Sequence, residues 1–511
     1  MNGRPSALNL AVRALISATI LSLPSLSLLS SKAAAAEITT FRGIVRAKHG
    51  PNDVIPLNLP EPSTVKATLS WAKPKAKAKL KLYLQSPSGA WAVKMYGNAK
   101  PKKFSRHLNP GNWRLLVRAA KGASGYQLRV SVQPDGSHPA PLPVEPCIGM
   151  AVSPGMDLQA TLDAQPPGTA FCFGAGTYNL DEPLVPKSGD QLLAANEGVV
   201  LDGNNAGTAA IWGSSPNPNV TVRGFLIQNF ANAGDIYAGD AAIKAGPNWQ
   251  IEYNEVRNNA NIGVRLGGGV VLRGNYIHHN GRYGVVGGFV SDVLWEGNEI
   301  SYNNTKDYGF GDAGATKVVK SSNVTFLDNY VHHNNGNGLW ADTDNINFTY
   351  DGNRVEFNVG SGIFHEVSYD AVIRNNIVRY NAGIAQGESI GYGANIEVMV
   401  SQNVQVYGNT VVGGTNGIGL HDIDRGTGAY GEYRVANVYV HDNTVRMSGS
   451  AQTGLNGDRP EAYSPNAKNR FENNTYYVTN LSGSYWYWGQ SRNWPGWRTS
   501  GQDSVGSLLA W

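Results

Sequence analysis

The chain has 511 residues, among them 61 Gly, 42 Lys+Arg and 38 Asp+Glu, for a formal net charge of +4. That length excludes one ordinary domain, and 16% charged with 10% aromatic residues exclude both a coiled coil and a disordered chain. The small net charge hides a division: residues 37–135 carry 18 Lys+Arg against 4 Asp+Glu, and residues 136–511 carry 21 against 34, so the two segments are expected to do different jobs.

Residues 1–36 are predicted to be a secretory signal peptide. Arg4 and Arg13 precede an apolar stretch from Ala14 to Leu29, and Ala33–Ala36 offers a small-residue cleavage site. Pro24 and four serines make that stretch a poor membrane span, and no later segment is apolar for long enough to cross a bilayer. Cys147 and Cys172 are the two cysteines, and an even count in an exported chain predicts one disulfide.

Residues 37–135 are predicted to form a small β-sandwich. In KATLSWAKPKAKAKLKLYL (66–84), Lys73, Lys75, Lys77, Lys79 and Lys81 alternate with small or apolar residues. The period of two places the lysines on one face of a strand and Leu80, Leu82 and Leu84 on the core side. Trp113–Val117 and Tyr126–Val132 are further strand candidates. The segments LKLYLQSPSGAW, LNPGNWRLLVRA and GYQLRVSV resemble the bacterial pre-peptidase C-terminal-like β-sandwich, which implies an accessory binding or stabilising module. The ladder, with Lys75, Lys77 and Lys79 at its centre, is either a solvated strand that blocks edge aggregation or a docking surface for an acidic polymer. No nucleic-acid-binding motif is present. The Pro-rich stretch 136–146 is predicted to be a stiff linker.

From residue 147 to 511 one pattern recurs: Asn, any residue, Ile or Val, two more residues, Asn. It runs NEVRNN, NYIHHN, NEISYN, NYVHHN, NRVEFN and NIVRYN from Asn254, Asn275, Asn298, Asn329, Asn353 and Asn376, with weaker copies at Asn409 and Asn443. The intervals are 21, 23, 31, 24, 23, 33 and 34 residues. Each Asn is followed by a Gly-containing step and a short strand, and another strand precedes the next Asn. Three short strands per turn of about 23 residues predict an all-β solenoid, a right-handed parallel β-helix, and the longer intervals predict loops inserted in particular coils. Asn tolerates the left-handed backbone region and can stack its amides from coil to coil.

This segment resembles secreted bacterial right-handed parallel β-helix proteins of the pectate-lyase-like superfamily. CIGMAVSPGMDLQATLDAQPPGTAFCFGAGTYNL resembles the group's N-terminal cap, NGNGLWADTDN and SGIFHEVSYDAVIRNN its later coils, and NWPGWRTSGQDSVGS its C-terminal end. The resemblance implies a cap holding Cys147 and Cys172, with Met156–Ala164 as its helix. It also implies a protein acting on or binding carbohydrate.

Successive coils bring Lys317 and Lys320, then Asp342 with Asp344, His365 with Glu366, Glu397, and His421 with Asp422 toward one side of the solenoid. Stacked carboxylates repel unless a cation, a lysine or a raised pKa compensates. In lyases of this superfamily, carboxylate-bound Ca²⁺ neutralises the substrate's uronate and a Lys or Arg abstracts the neighbouring proton. The resemblance therefore implies Lys317 or Lys320 as base and Asp342, Asp344 and Glu366 as Ca²⁺ ligands. A hydrolase would instead use Glu366 and Asp342 as acid and base, with His365 or His421 assisting. Trp340, His421 and Asp422 are the candidate substrate contacts in the solenoid, and Lys75, Lys77 and Lys79 those in the basic module. The expected function is cleavage of an acidic polysaccharide by a secreted monomer, by β-elimination in preference to hydrolysis. The competing expectation is a non-enzymatic surface protein that binds such a polymer.

Overall fold

The computed structural model describes the strands between Glu37 and Pro134, and residues 147–511 apart from 214–216, 235–238 and 383–392. The expected signal segment 1–36, the linker 136–146, and Lys75 and Lys77 lie outside the described residues. The chain divides into two units between Ser137 and His138.

The first unit is a sandwich of two four-stranded antiparallel sheets. One is ordered Glu37–Arg46, Ala123–Pro134, Ser63–Trp71, Lys102–Leu108; the other Asp53–Leu59, Gly111–Lys121, Lys79–Gln85, Trp91–Met95. Alternation decides the core: Val65, Leu69, Leu80, Leu82, Leu84, Leu115, Val117 and Leu128 are fully buried between the sheets.

The second unit is a right-handed parallel β-helix with three long sheets of 13, 13 and 12 strands, each coil adding one strand to each sheet. The apolar position of the repeat stacks on its counterpart: Val256, Ile277, Ile300, Val331, Val355, Val378 and Val411 pair in succession and are all completely buried. The repeat asparagines make two amide ladders. Along one, the Nδ2 of Asn254, Asn275, Asn298, Asn329, Asn353, Asn376, Asn409 and Asn443 each donates to the Oδ1 of the next Asn at 2.9–3.0 Å. Each Oδ1 also accepts the backbone N–H of the Asn before it, so the amides satisfy buried turn backbone that no strand reaches. The left-handed backbone is not adopted by these asparagines. The residue before each takes it, as in Gly274, Gly297, Asp328, Gly352 and Gly408; the ladder needs the Asn in a conformation that aims its amide along the axis.

The ends are closed. Cys147 and Cys172 form a disulfide beside a helix, Leu158–Asp163, shorter than the sequence suggests. It is capped by Asp157 and packs Leu158 and Leu162 against the first coils. At the other end Trp486, Trp494 and Trp497 gather around Tyr476 and Phe471. Trp497 Nε1 donates to Asp503, which also ends the Asn ladder. This apolar plug covers the last coil.

Candidate functional site

The site lies on the sheet that contains Gly314–Val319, Leu339–Asp342, Ile363–Glu366, Ile396–Met399 and Ile418–Asp422. Register fixes which side chains share a face. Val318, Ala341, His365, Val398 and Leu420 form one row, buried in the main core or, for His365, against its Phe348 and Tyr350 rings. Residues one position either side point outward: Trp340, Phe364 and Glu397 on one row, Asp342, Glu366, Met399 and His421 on another.

That outer face is covered. A segment at 421–434, with Thr427–Gly428 paired to Gly431–Glu432, folds back over earlier coils. Tyr433 joins Trp340, Phe364, Tyr369 and Met399 in a second apolar cluster. Its hydroxyl donates to Asp344 at 2.5 Å, the N–H of Ala429 donates to the same carboxylate at 2.8 Å, and Tyr369 donates to the Gly431 carbonyl at 2.7 Å.

Beneath this cover four charged groups converge. The Lys317 ammonium lies 2.9 Å from Asp342 Oδ2 and 3.6 Å above the centre of the Trp340 ring, and donates to the Gly311 carbonyl at 3.0 Å. Trp340 Nε1 donates to Glu366 Oε2 at 3.0 Å, and Arg425, from the covering segment, reaches Glu366 Oε1 at 3.4 Å. Burial pushes the Glu366 carboxyl up to about 7; the Asp342 charge adds to this, and Lys317, Trp340 and Arg425 act against it. Asp342 and Glu366 pair on adjacent rungs. Glu397, 1% exposed, accepts from the Ser361 hydroxyl and the Gly393 N–H, and burial pushes it up to about 8. Its Oε1 has no partner among the described residues.

The structure thus brings together Lys317, Trp340, Asp342 and Glu366, with Glu397 on the next coil but on the Trp340 row. It does not bring the other predicted residues there. Lys320 sits past the end of its strand in a left-handed turn, its ammonium 5.4 Å from the Phe289 ring. His365 faces the solenoid interior beside the Tyr350 hydroxyl, and burial lowers it to about 4. Asp344 is occupied by the covering hairpin. Asp422 accepts two bonds from Arg459 and one from the Val435 N–H. His421 is buried opposite Met399. Lys79 belongs to the other unit. His278 and His332 are buried against Glu255 and Glu299. Arg425, Ser361 and Tyr433 were not legible as site residues; the long interval before Asn443 marks the insertion that carries Arg425 and Tyr433, but not where it folds.

The three carboxylates do not fit a Ca²⁺ ion, which takes six to eight oxygens. Asp342 is paired with Lys317, Asp344 is turned to the hairpin, and Glu366 accepts from Trp340 and Arg425. No group of three or more His, Cys, Asp or Glu side chains that could hold a metal occurs among the described residues.

Comparison with known proteins gives a fold-level picture. A family model described as a right handed beta helix region matches residues 238–411. The solved A-module of the mannuronan C-5 epimerase AlgE6 of Azotobacter vinelandii is similar at 16% identity and a TM-score of 0.49, over 71% of this chain and 97% of that one. The AlgE4 A-module of the same organism gives 15% and 0.45 over 61% and 96%. PfbA, a surface adhesin of Streptococcus pneumoniae, gives 12% and 0.44 over 67% and 92%. No curated protein matches the chain in sequence. No helix among the described residues is long and apolar enough to cross a membrane.

Proposed function

We propose that the solenoid cleaves glycosidic bonds in an acidic polysaccharide, with Glu366 as general acid and Asp342 as its carboxylate partner. The observation that carries this is the pair itself: two carboxyl groups on adjacent rungs, one pushed to about 7 by burial and its neighbour's charge, the other held against a lysine ammonium. A carboxyl pushed up beside an ion-paired one is a way for one site to hold a general acid next to a second carboxylate. Adjacent rungs are ~4.8 Å apart, close to the ~5–5.5 Å of a retaining pair and short of the ~6.5–9.5 Å of an inverting one. Glu366 would protonate the departing oxygen, and Asp342 would attack or stabilise the sugar cation. Lys317 and Arg425 supply the positive charge that suits an acidic sugar. The covering segment must move to admit substrate, since Glu366 is 9% exposed. That same enclosure favours a second reading, a non-enzymatic β-helix in which the cluster only holds the segment down.

The test is a panel of pectate, alginate and neutral glucans incubated with the protein, with and without chelator, following reducing ends and ultraviolet absorbance. Hydrolysis predicts reducing ends without absorbance, unaffected by chelator and abolished in Glu366→Gln and Asp342→Asn. An absorbing product would replace hydrolysis by β-elimination. Turnover retained in both variants would remove the site. Silence with polymer binding intact would favour the non-enzymatic reading.

A further inference from the structure

The N-terminal sandwich carries its cations on inner strands. In its second sheet, Gly111–Lys121 and Lys79–Gln85 are the two central strands. Alternation sends Leu80, Leu82, Leu84, Leu115 and Val117 inward, leaving Lys81, Arg114 and Arg118 on the outer face, where both arginines are exposed. Register places Lys81 directly opposite Arg118. Like charges are therefore set against each other on neighbouring strands, an arrangement that destabilises a ladder. Lysines that prevent aggregation belong on edge strands; these strands are paired on both sides. Neither strand contains Asp or Glu. The opposite sheet is also basic outside, with Lys66, Lys103 and Arg129 exposed. There, however, Arg129 faces Thr68 and Lys66 faces Ser131, so charge is spread among hydroxyls without opposed pairs.

We propose that the face bearing Lys81, Arg114 and Arg118 docks an anionic polysaccharide through its carboxylate or sulfate groups. Charge complementarity selects the polymer: a segment with 18 Lys+Arg against 4 Asp+Glu concentrates a polyanion at its surface. Nucleic acid is the less suitable polyanion. Bases need exposed rings on which to stack, and Tyr83, between Lys81 and Gln85, is only 9% exposed. The Cys147–Cys172 disulfide suits an oxidising compartment, where extracellular polysaccharide is found. This docking does not depend on the chemistry proposed for Glu366.

The experiment measures binding of the full chain to polygalacturonate, dextran and duplex DNA across a salt series, by an optical biosensor. Polygalacturonate is expected to bind with an affinity that falls steeply with salt, and dextran not to bind. The triple variant K81Q/R114Q/R118Q should lose about tenfold or more in affinity, with the melting profile retained; K66Q/R129Q, on the opposite face, should lose less than about twofold. Arg118→Gln alone, at an exposed position, carries the test if the triple variant unfolds, and should lower both affinity and salt dependence. Equal losses from the two faces, no loss from either, or DNA bound as tightly as polygalacturonate at the same salt would overturn the proposal.

Discussion

His365 and Glu366 are consecutive residues on one strand, and both are driven toward their neutral forms on opposite sides of it. The imidazole points into the solenoid beside the Tyr350 hydroxyl at 3.3 Å, and burial lowers it to about 4. The carboxyl points outward to the Trp340 indole at 3.0 Å, and burial raises it to about 7. A single peptide step therefore carries one group that resists acid and one that resists alkali.

Their effects on stability have opposite signs. His365 has a folded value below its ordinary 6.5, so its contribution is present above 6.5 and is lost as pH falls toward about 4. Glu366 has a folded value above its ordinary 4.5, so its contribution is complete below 4.5 and is lost as pH rises through about 7. Relative to wild type, melting temperature should rise less steeply with pH between about 4 and 6.5 in His365→Leu, and fall less steeply between about 4.5 and 7 in Glu366→Gln. Parallel curves for wild type and either variant would contradict the corresponding assignment.

Lys317 and Asp342 form a nearly buried ion pair, with side chains 7% and 16% exposed. Removing one partner of such a pair strands a charge and costs about 3–5 kcal/mol when burial is complete, less where water still reaches it. Lys317→Met should therefore destabilise by about 2–3 kcal/mol. It should also raise the apparent pKa of Glu366, because a cation that lowers it has gone while the Asp342 charge remains. The double variant Lys317→Met/Asp342→Asn should recover much of the stability, and denaturant melts of the four proteins in a cycle measure the coupling. Additive effects would mean that the two groups do not interact in solution.

Period was enough to read the solenoid. The Asn-x-Ile/Val step recurs in sequence because equivalent positions stack in space, and the rungs that align Asp342 with Glu366 follow from the same count. Direction along a strand was less secure: His365 and Glu366 both read as outward candidates, and only the register of Ala341 with His365 turns the imidazole inside. The covering segment was beyond reach. Asp344 and Tyr433 are separated by 89 residues, and nothing local in 421–434 says which earlier coil it will meet. Arg425 was missed for this reason. The Ca²⁺ expectation came from the family resemblance, and the Lys317–Asp342 pair meets the same electrostatic need with a side chain.

The Asn ladder should be costly to interrupt in the middle. Asn329 Oδ1 accepts both the backbone N–H and the Nδ2 of Asn298, and its own Nδ2 reaches Asn353 and the Trp295 carbonyl. Asn329→Ala removes the acceptor from two buried donors, each worth about 1–3 kcal/mol when left unsatisfied, and opens a small polar void. A loss of about 3–4 kcal/mol is expected in denaturant unfolding. Asn473→Ala, in an exposed turn where the side chain bonds to Asp442, should cost under about 1 kcal/mol. Similar values for the two would mean that the ladder amides contribute little beyond surface turn bonds.

The covering segment is fastened to the coils by hydrogen bonds, an ion pair and the apolar cluster, and one of the hydrogen bonds comes from the Tyr433 hydroxyl. It donates to Asp344, and burial, together with that bond and charge, raises the phenol well above its ordinary 10. Hydrogen bonds to charged groups contribute about 1.5–3 kcal/mol, which is enough to matter for a local opening and too little to unfold the solenoid. Tyr433→Phe should leave global melting almost unchanged while raising amide exchange across 421–434 by about tenfold or more. Opening hydrates Glu366, so its apparent pKa should fall toward the ordinary carboxylate range, and on the proposed chemistry the pH–rate profile should shift to the acid side with it. Exchange confined to the hairpin, with the profile unmoved, would show that the segment covers the site without setting the acidity of Glu366. A drop in global melting would show instead that the segment is part of the solenoid's core stability.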